Sequence, residues 1–266
     1  MSFWQEKVVV VTGGSAGLGS SIVRAFAAAG ARVVIAGRDA DKLARTAAEM
    51  RGQGADVLAV AADITRQADV DQLIAHAVER FKKLDVLVNN VGRSARGEVL
   101  ATTPEDFEQL LDLNFIATVR CTRAAAPHLL DTGGHLVNIG SLAAKSASRY
   151  LGAYPASKFA LAAYTQQLRL ELGPRGLHVL LVCPGPIARA EERRYESPRS
   201  ELPPDAHKPG GGVKLRGLDP DVVARRIVRA CERRQAELVL PRRARLLFAL
   251  AQMSPRLGDW LVNKMT

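Results

Sequence analysis

Six short, unbroken apolar runs separated by helix-length segments constrain this chain more than any other feature. Val8-Val9-Val10-Val11, Arg32 to Ala36, Val57 to Ala61, Val86-Leu87-Val88, His135 to Ile139 and His178 to Val182 read as strands. Alternating apolar and polar residues would mark a sheet with one wet face. Unbroken runs mark strands covered on both faces. Between them lie Leu18 to Ala29, Ala40 to Arg51, Ala68 to Phe81, Pro104 to Leu130 and Ala153 to Leu172, each long enough for a helix. This order predicts an α/β fold, a doubly wound parallel sheet in three layers with right-handed crossovers. All 266 residues are assigned to a single domain.

The pattern breaks after Cys183. Residues 184–217 are rich in Pro, Gly and charge, including Pro203-Pro204 and Gly210-Gly211-Gly212. A long aperiodic stretch in a compact domain points to a binding loop or lid. Asp219-Pro220 reads as a helix cap with Pro in the first turn, leading into Val222 to Arg233. A strand, Leu238-Val239-Leu240, follows, and residues 243–266 form an amphipathic basic tail.

Hydrophobic residues make up 47% of the chain, which argues against wholesale disorder. No stretch is long and apolar enough to cross a membrane. Met1 to Lys7 has no apolar core, so no secretory signal is expected and a cytoplasmic location is favoured. Cys121, Cys183 and Cys231 have neither a disulfide nor a zinc spacing and read as small buried hydrophobes. The histidines, His76, His128, His135, His178 and His207, show no ligand spacing, and none is assigned to a metal. The net charge is +10. Residues from Arg189 onward hold 17 basic and 10 acidic side chains, so +7 of it lies there. A phosphorylated cofactor, nucleic acid or an acidic membrane could each exploit such a balance.

The first strand runs into Thr12-Gly13-Gly14-Ser15-Ala16-Gly17-Leu18-Gly19, where a helix begins. Glycine lets the chain turn sharply and lets phosphate oxygens approach backbone N–H groups. The helix N-terminus adds free donors and partial positive charge. The spacing of Gly13, Gly17 and Gly19 is G-x-x-x-G-x-G, not the usual dinucleotide fingerprint.

That spacing resembles the cofactor motif of the short-chain dehydrogenase/reductase family. Asn89-Asn90-Val91-Gly92 looks like its NNAG motif, with Val in place of Ala, and Asn114 matches its helix asparagine. Ser141 and Tyr154-x-x-x-Lys158 match its catalytic signature, and Pro184-Gly185 matches the turn after its sixth strand. The resemblance covers about residues 7–187. It implies a Rossmann-like fold and a nicotinamide cofactor held by Gly13, Ser15, Ala16, Gly17, Leu18, Gly19, Arg38, Asp63, Ile64, Asn90, Gly92, Pro184, Gly185 and Ile187, with Tyr154 and Lys158. Where the family often has Thr two residues beyond Ile187, this chain has Arg189, which puts that loop's closure geometry in doubt.

Family members that use NAD usually carry an acidic residue at the end of the second strand. Here Gly37 stands there, followed by Arg38, whose guanidinium suits a 2′-phosphate. NADP(H) is therefore favoured over NAD(H). Asp39 offers a competing reading, but its position suits a cap for the next helix. The resemblance has Ser15 adding a hydroxyl bond and Asp63 contacting the adenine.

Tyr154 and Lys158, four apart on a helix, share one face of it. A free Tyr titrates near 10. Bringing it to 7 needs about 4 kcal/mol of differential stabilisation, which a nearby ammonium in a partly dry cleft can supply. The resemblance makes Tyr154 the general acid/base, Lys158 the group that lowers its pKa and holds the ribose, Ser141 a donor to the substrate oxygen, and Asn114 the holder of a water. It thus implies an NADP-dependent oxidoreductase acting on a ketone/secondary alcohol pair, with a lipid-, steroid- or 3-oxoacyl-like substrate, assembled as a homodimer or homotetramer. A cofactor-binding scaffold without catalysis, or a basic nucleic-acid binder, are the rivals. No aromatic platform supports the latter. For the tail, packing on the protein or a second subunit is favoured over a membrane surface. The run Glu191-Glu192-Arg193-Arg194-Tyr195 reads as a solvated helix face.

Overall fold

Alternate residues of the first apolar run go to opposite faces of the sheet, which explains why the run is unbroken. Val9 and Val11 enter one hydrophobic cluster, and Val8 and Val10 enter the other. The structure is a computed structural model that describes residues 2–188, 202–207 and 216–265, apart from the side chains of Asp205 and Met265. The strands are β1 (Val8–Thr12), β2 (Arg32–Gly37), β3 (Val57–Ala61), β4 (Val86–Asn89), β5 (His135–Ile139), β6 (His178–Pro184) and β7 (Glu237–Leu240). They pair in parallel in the order β3-β2-β1-β4-β5-β6-β7. The helices are α1 (Gly17–Ala28), α2 (Ala40–Gly52), α3 (Gln67–Phe81), α4 (Pro104–Leu111), α5 (Ala117–Asp131), α6 (Tyr154–Leu172), α7 (Pro220–Glu232), α8 (Arg243–Met253) and α9 (Pro255–Met265).

Helices α1, α2 and α7 cover one face through Ile22, Phe26, Leu43, Met50 and Ile227. Helices α3, α5 and α6 cover the other through Leu73, Phe81, Leu129 and Leu168. Each fully buried side chain such as Ile22 or Phe26 contributes about 1.5–3 kcal/mol. The three cysteines are free and buried. Asp39 caps α2 by accepting from Lys42 N at 3.0 Å, and Asp219 caps α7 by accepting from Asp221 N at 2.8 Å. Both caps fall where the sequence places them.

One sequence expectation needs correction. The single helix expected over Pro104–Leu130 is interrupted by a π-helical turn at Asp112–Ile116, so α4 and α5 are separate elements. A hydrophobic period alone does not register one extra residue in a turn. The tail is two helices, and only one face of it is sheltered: Phe248 is buried against Ala144, Leu181, Cys183 and Val239. Arg189, Glu191 to Tyr195 and Gly210 to Gly212 lie outside the described residues. Described parts of the 184–217 stretch are its base, where Ile187 bridges Leu218, and a short 3₁₀ turn at Pro204–His207.

At the sheet edge where β5 and β6 begin, the fold brings together residues that the sequence left unlinked. His135 and His178 are register partners, their Nδ1 atoms are 2.8 Å apart, and Cys231 lies beside them with one ligand-type atom of each residue within 4.8 Å of the others. His178 Nε2 meets Gln235 O at 2.8 Å, so its N–H is donated there and its Nδ1 accepts from His135. This pairing of neutral rings accounts for the closeness. Burial, with His178 adding to it, holds His135 down at about 3, and burial also lowers His178. Below the ordinary value of 6.5 the unfolded chain takes up protons that the folded one refuses, so stability falls on acidification through that window. Urea unfolding should lose on the order of 1 kcal/mol per pH unit from pH 6.5 to about 4.5, and His135→Gln should flatten the profile. An equally steep profile in the variant would remove the pair as its cause.

Candidate active site

All strands are parallel, so their C-terminal ends share one rim, and the chain leaves β1 there through the glycine turn. Gly13 N and Gly14 N donate to Ala36 O at 2.7 and 3.2 Å, which pins the turn to β2. Gly13 and Gly17 have φ of +65° and +53°, the left-handed region that favours glycine. Gly19 is required for a different reason: a Cβ there would sit 2.0 Å from Gly13 O and 2.6 Å from Asn90 Nδ2. Around Gly17 a Cβ would meet nothing within 4 Å, so the first turn of α1 opens onto free space. Such a cradle, with the α1 N-terminus behind it, fits a diphosphate.

Asn90 braces this turn. Its Nδ2 donates to Thr12 O at 3.0 Å and Gly13 O at 3.3 Å, and its backbone N donates to Thr12 Oγ1 at 3.0 Å. The sequence places Asn90 at the cofactor; its side chain holds the cradle's shape. Thr12, quoted in the motif without a role, is the other half of that brace. A buried chain of amides and hydroxyls continues inward: Asn89 Nδ2 donates to Asn138 Oδ1 at 2.9 Å, and Asn138 Nδ2 to Thr165 Oγ1 at 2.9 Å. It ties β4, β5 and α6 together.

Tyr154 opens α6, and Lys158 lies one turn on, with its ammonium 5.9 Å from the Tyr154 ring centre. Lys158 is buried and donates to Ile139 O at 2.9 Å, and burial pushes its ammonium down to about 8. Ser141 follows β5, where its Oγ accepts from Ala143 N at 3.1 Å and its own O–H remains directable. Ser141, Tyr154 and Lys158 line one cleft of about 1050 Å³. A phenol, an alcohol and a buried ammonium facing one cleft can exchange a proton with a carbonyl oxygen and steady its charge.

Asn114 lies behind this group, in the π turn. A Cβ on Gly92 would be 3.1 Å from Asn114 Oδ1 and 3.3 Å from Lys158 Nζ, so both groups crowd that glycine. The Asn114 side chain is spent elsewhere: Oδ1 accepts from Arg93 N at 2.8 Å, and Nδ2 donates to Arg93 O and Ser157 Oγ, both at 2.9 Å. Both Nδ2 hydrogens are thus used, which leaves the main-chain carbonyl and the second lone pair of Oδ1 to accept from a water.

Gly13, Ala16, Gly17, Leu18, Gly19, Asn90, Gly92, Pro184, Gly185 and Ile187 also line the cleft, whereas Ser15, Arg38, Asp63 and Ile64 lie beyond its lining. Ser15 Oγ is 3.6 Å from where a Gly37 Cβ would be, so the two are neighbours at the end of β2. Arg38 is exposed. The Thr65 amide bonding Asp63, helped by Arg38 and Arg66, holds that carboxyl below its usual range. Asp63 thus does serve its own turn, accepting from Thr65 N at 3.0 Å. The Ile64 side chain is buried in the core, which leaves only its backbone for a ligand. The sequence reading missed Leu247, Phe248 and Val262, which line the cleft from α8 and α9. No local motif marks residues that reach a site by folding back over it.

The Gly19 contact generates a direct test. Gly19→Ala should cost about 1–3 kcal/mol of stability and weaken nicotinamide dinucleotide binding at least tenfold by fluorescence titration. A variant that melts and binds like the parent would show that the turn relaxes freely.

The family described as short chain dehydrogenase matches residues 7–199. An uncharacterised oxidoreductase of Bacillus subtilis (strain 168) is 31% identical over 264 residues, spanning 98% of this chain and 72% of that protein. Among solved structures, a short chain dehydrogenase/reductase of Burkholderia phymatum in complex with NAD is 27% identical, with a TM-score of 0.83 and 97% of each chain covered. An alcohol dehydrogenase of Thermococcus sibiricus complexed with 5-hydroxy-NADP is 26% identical, with a TM-score of 0.74 over 88% of this chain and 95% of that one. Rim, cradle and cleft are thus those of an established scaffold, and the chain belongs to the short-chain dehydrogenase family of oxidoreductases.

Proposed function

We propose that this protein is an NADP(H)-dependent carbonyl reductase or alcohol dehydrogenase acting on an apolar ketone/secondary alcohol pair. The observation that carries the reading is the meeting of Ser141, Tyr154 and Lys158 in one cleft, at whose glycine cradle a dinucleotide phosphate fits. The nicotinamide, when bound, supplies or accepts the hydride. Gly13, Ser15, Ala16, Gly17, Leu18 and Gly19 would hold the diphosphate end, and Pro184, Gly185 and Ile187 would flank the ring. Asn90 and Gly92 would lie beside it, with Asp63 and the Ile64 backbone at the adenine.

In reduction, the Tyr154 hydroxyl gives its proton to the substrate oxygen. Ser141 donates a hydrogen bond to that oxygen and orients it. The Lys158 ammonium makes the remaining phenolate less costly, and the Asn114 carbonyl holds a water through which the proton is replaced. In oxidation, the same groups run in reverse. Because burial already brings Lys158 to about 8, its positive charge empties above that pH and its support for the phenolate fades.

NADP(H) over NAD(H) is supported by the end of β2. Asp39 is engaged with the Lys42 amide and ammonium, at 3.0 and 3.1 Å, and so is poorly placed to accept from a ribose hydroxyl. Arg38 is exposed beside it. An apolar substrate is supported by Leu142, Leu151, Leu247 and Phe248 in the cleft wall. Residues 184–217 would act as its lid; Arg96, buried, donates to Ala206 O at 2.8 Å and anchors part of it. The exposed apolar side chains of Ile116 and Phe159 suit a homodimer or homotetramer, and three buried free thiols suit the cytoplasm.

Tyr154→Phe should lower kcat on a panel of apolar ketones by about 10²–10⁴-fold while NADPH binding stays within a few-fold. A parent enzyme inactive across the panel would favour the non-catalytic scaffold. Arg38→Asp should weaken NADPH binding at least tenfold and shift preference toward NADH; unchanged NADPH affinity would reject Arg38 as the phosphate clamp.

A further inference from the structure

We propose that helices α8 and α9 form a docking surface for an anionic lipid bilayer. On α8 the two faces are nearly opposite. Ala244, Leu247 and Phe248 turn toward the cleft, while Leu246, Leu250 and Met253 point outward at 69%, 43% and 78% exposure. The outward residues are spaced i, i+4, i+7, which makes one continuous stripe. On α9, Leu257 and Trp260 are exposed as well, at 39% and 56%. The two helices form one plate because Gly258 lets the backbones approach: a Cβ there would be 2.8 Å from Ala251 O.

The charge around the stripe selects the occupant. Arg242, Arg243, Arg245, Arg256 and Lys264 are exposed, with Arg243 also at the cleft, against Asp259 alone, and none of the five is ion-paired among the described residues. Lys264 Nζ lies 5.2 Å from the Trp260 ring centre, an aromatic and cation pair suited to the headgroup boundary. A second copy meeting this patch across a two-fold axis would set five cations against five. An anionic bilayer instead gains on both counts, since it takes up the apolar stripe and attracts the rim of arginines. Docking would also hold the cleft, walled by Phe248 and Val262 from these helices, at the lipid surface. That consequence rests on the reading of the cleft as the reaction site; the docking does not.

Co-sedimentation of the full chain tests the proposal with vesicles of phosphatidylcholine alone and of phosphatidylcholine and phosphatidylglycerol at seven to three. The expected result is sedimentation with the anionic vesicles only. It should fall several-fold as salt rises from about 0.1 to 0.5 M. The triple variant Leu246→Gln, Leu250→Gln, Met253→Gln should lose at least tenfold in bound fraction, with an unchanged circular dichroism spectrum and melting temperature. Arg245→Gln with Arg256→Gln, which leaves the apolar stripe intact, should lose several-fold. No sedimentation, equal sedimentation with neutral vesicles, or a triple variant that binds like the parent would each overturn the proposal. So would a parent dimer, seen by sedimentation velocity, that the triple variant dissociates while neither protein binds vesicles. These readouts need no turnover, so they fail independently of the oxidoreductase assignment.

Discussion

One close approach governs the working end of this molecule: the first turn of α1 lies against the exit of β1, with no room for a side chain at Gly19. Asn90 then reaches across from β4 and bonds both Thr12 O and Gly13 O. The result is a backbone surface whose free N–H groups face open space near Gly17. Everything along the rim is placed relative to that surface, because the strands are parallel and in register from β3 through β7. Ser141 after β5 and Gly185 after β6 reach the same cleft from a shared sheet edge.

The sheet was legible because burial on both faces writes itself into composition. Val57–Ala61 and His135–Ile139 match their apolar runs residue for residue. Local hydrogen bonds were legible as well: Asp39 and Asp219 look like caps because a short carboxylate before a helix has a free amide to bond. What lay beyond reach depends on distant parts of the chain meeting. The run around His135 gives no hint that the ring faces His178, since register is decided by the whole sheet. Likewise the apolar residues of α8 split into a cleft-facing set and an outward set only once the tail folds back. For the site, Tyr154, Lys158 and Ser141 could be picked out by their resemblance to a family's motif and line one cleft; that the Asn114 side chain is spent on Arg93 and Ser157 could not be read from any motif.

Electrostatically the cleft works against Lys158. Burial penalises its charge, and it donates to a neutral carbonyl, Ile139 O. Its ammonium is thus only weakly favoured near neutrality. That makes it responsive to a phenolate or a phosphate arriving nearby, which an ammonium fixed in a strong ion pair would not be. The contrast is with Asp85, a buried carboxylate at the far edge of the sheet held by Lys7 at 2.8 Å and Lys83 at 3.2 Å. One edge of the sheet is stapled and the other is left adjustable.

The π turn at Asp112–Ile116 gives chain length an unusual meaning. A regular helix advances about 100° per residue. One surplus residue therefore re-phases whatever follows it rather than lengthening the rod. Helix α5 carries Cys121, Ala125 and Leu129 inward after that turn, while Asn114 stays within it, wholly buried. Excising a single residue there would act as a rotation, turning either the polar anchor or the apolar stripe away from its partners. A helix built this way tolerates changes of side chain far better than changes of count.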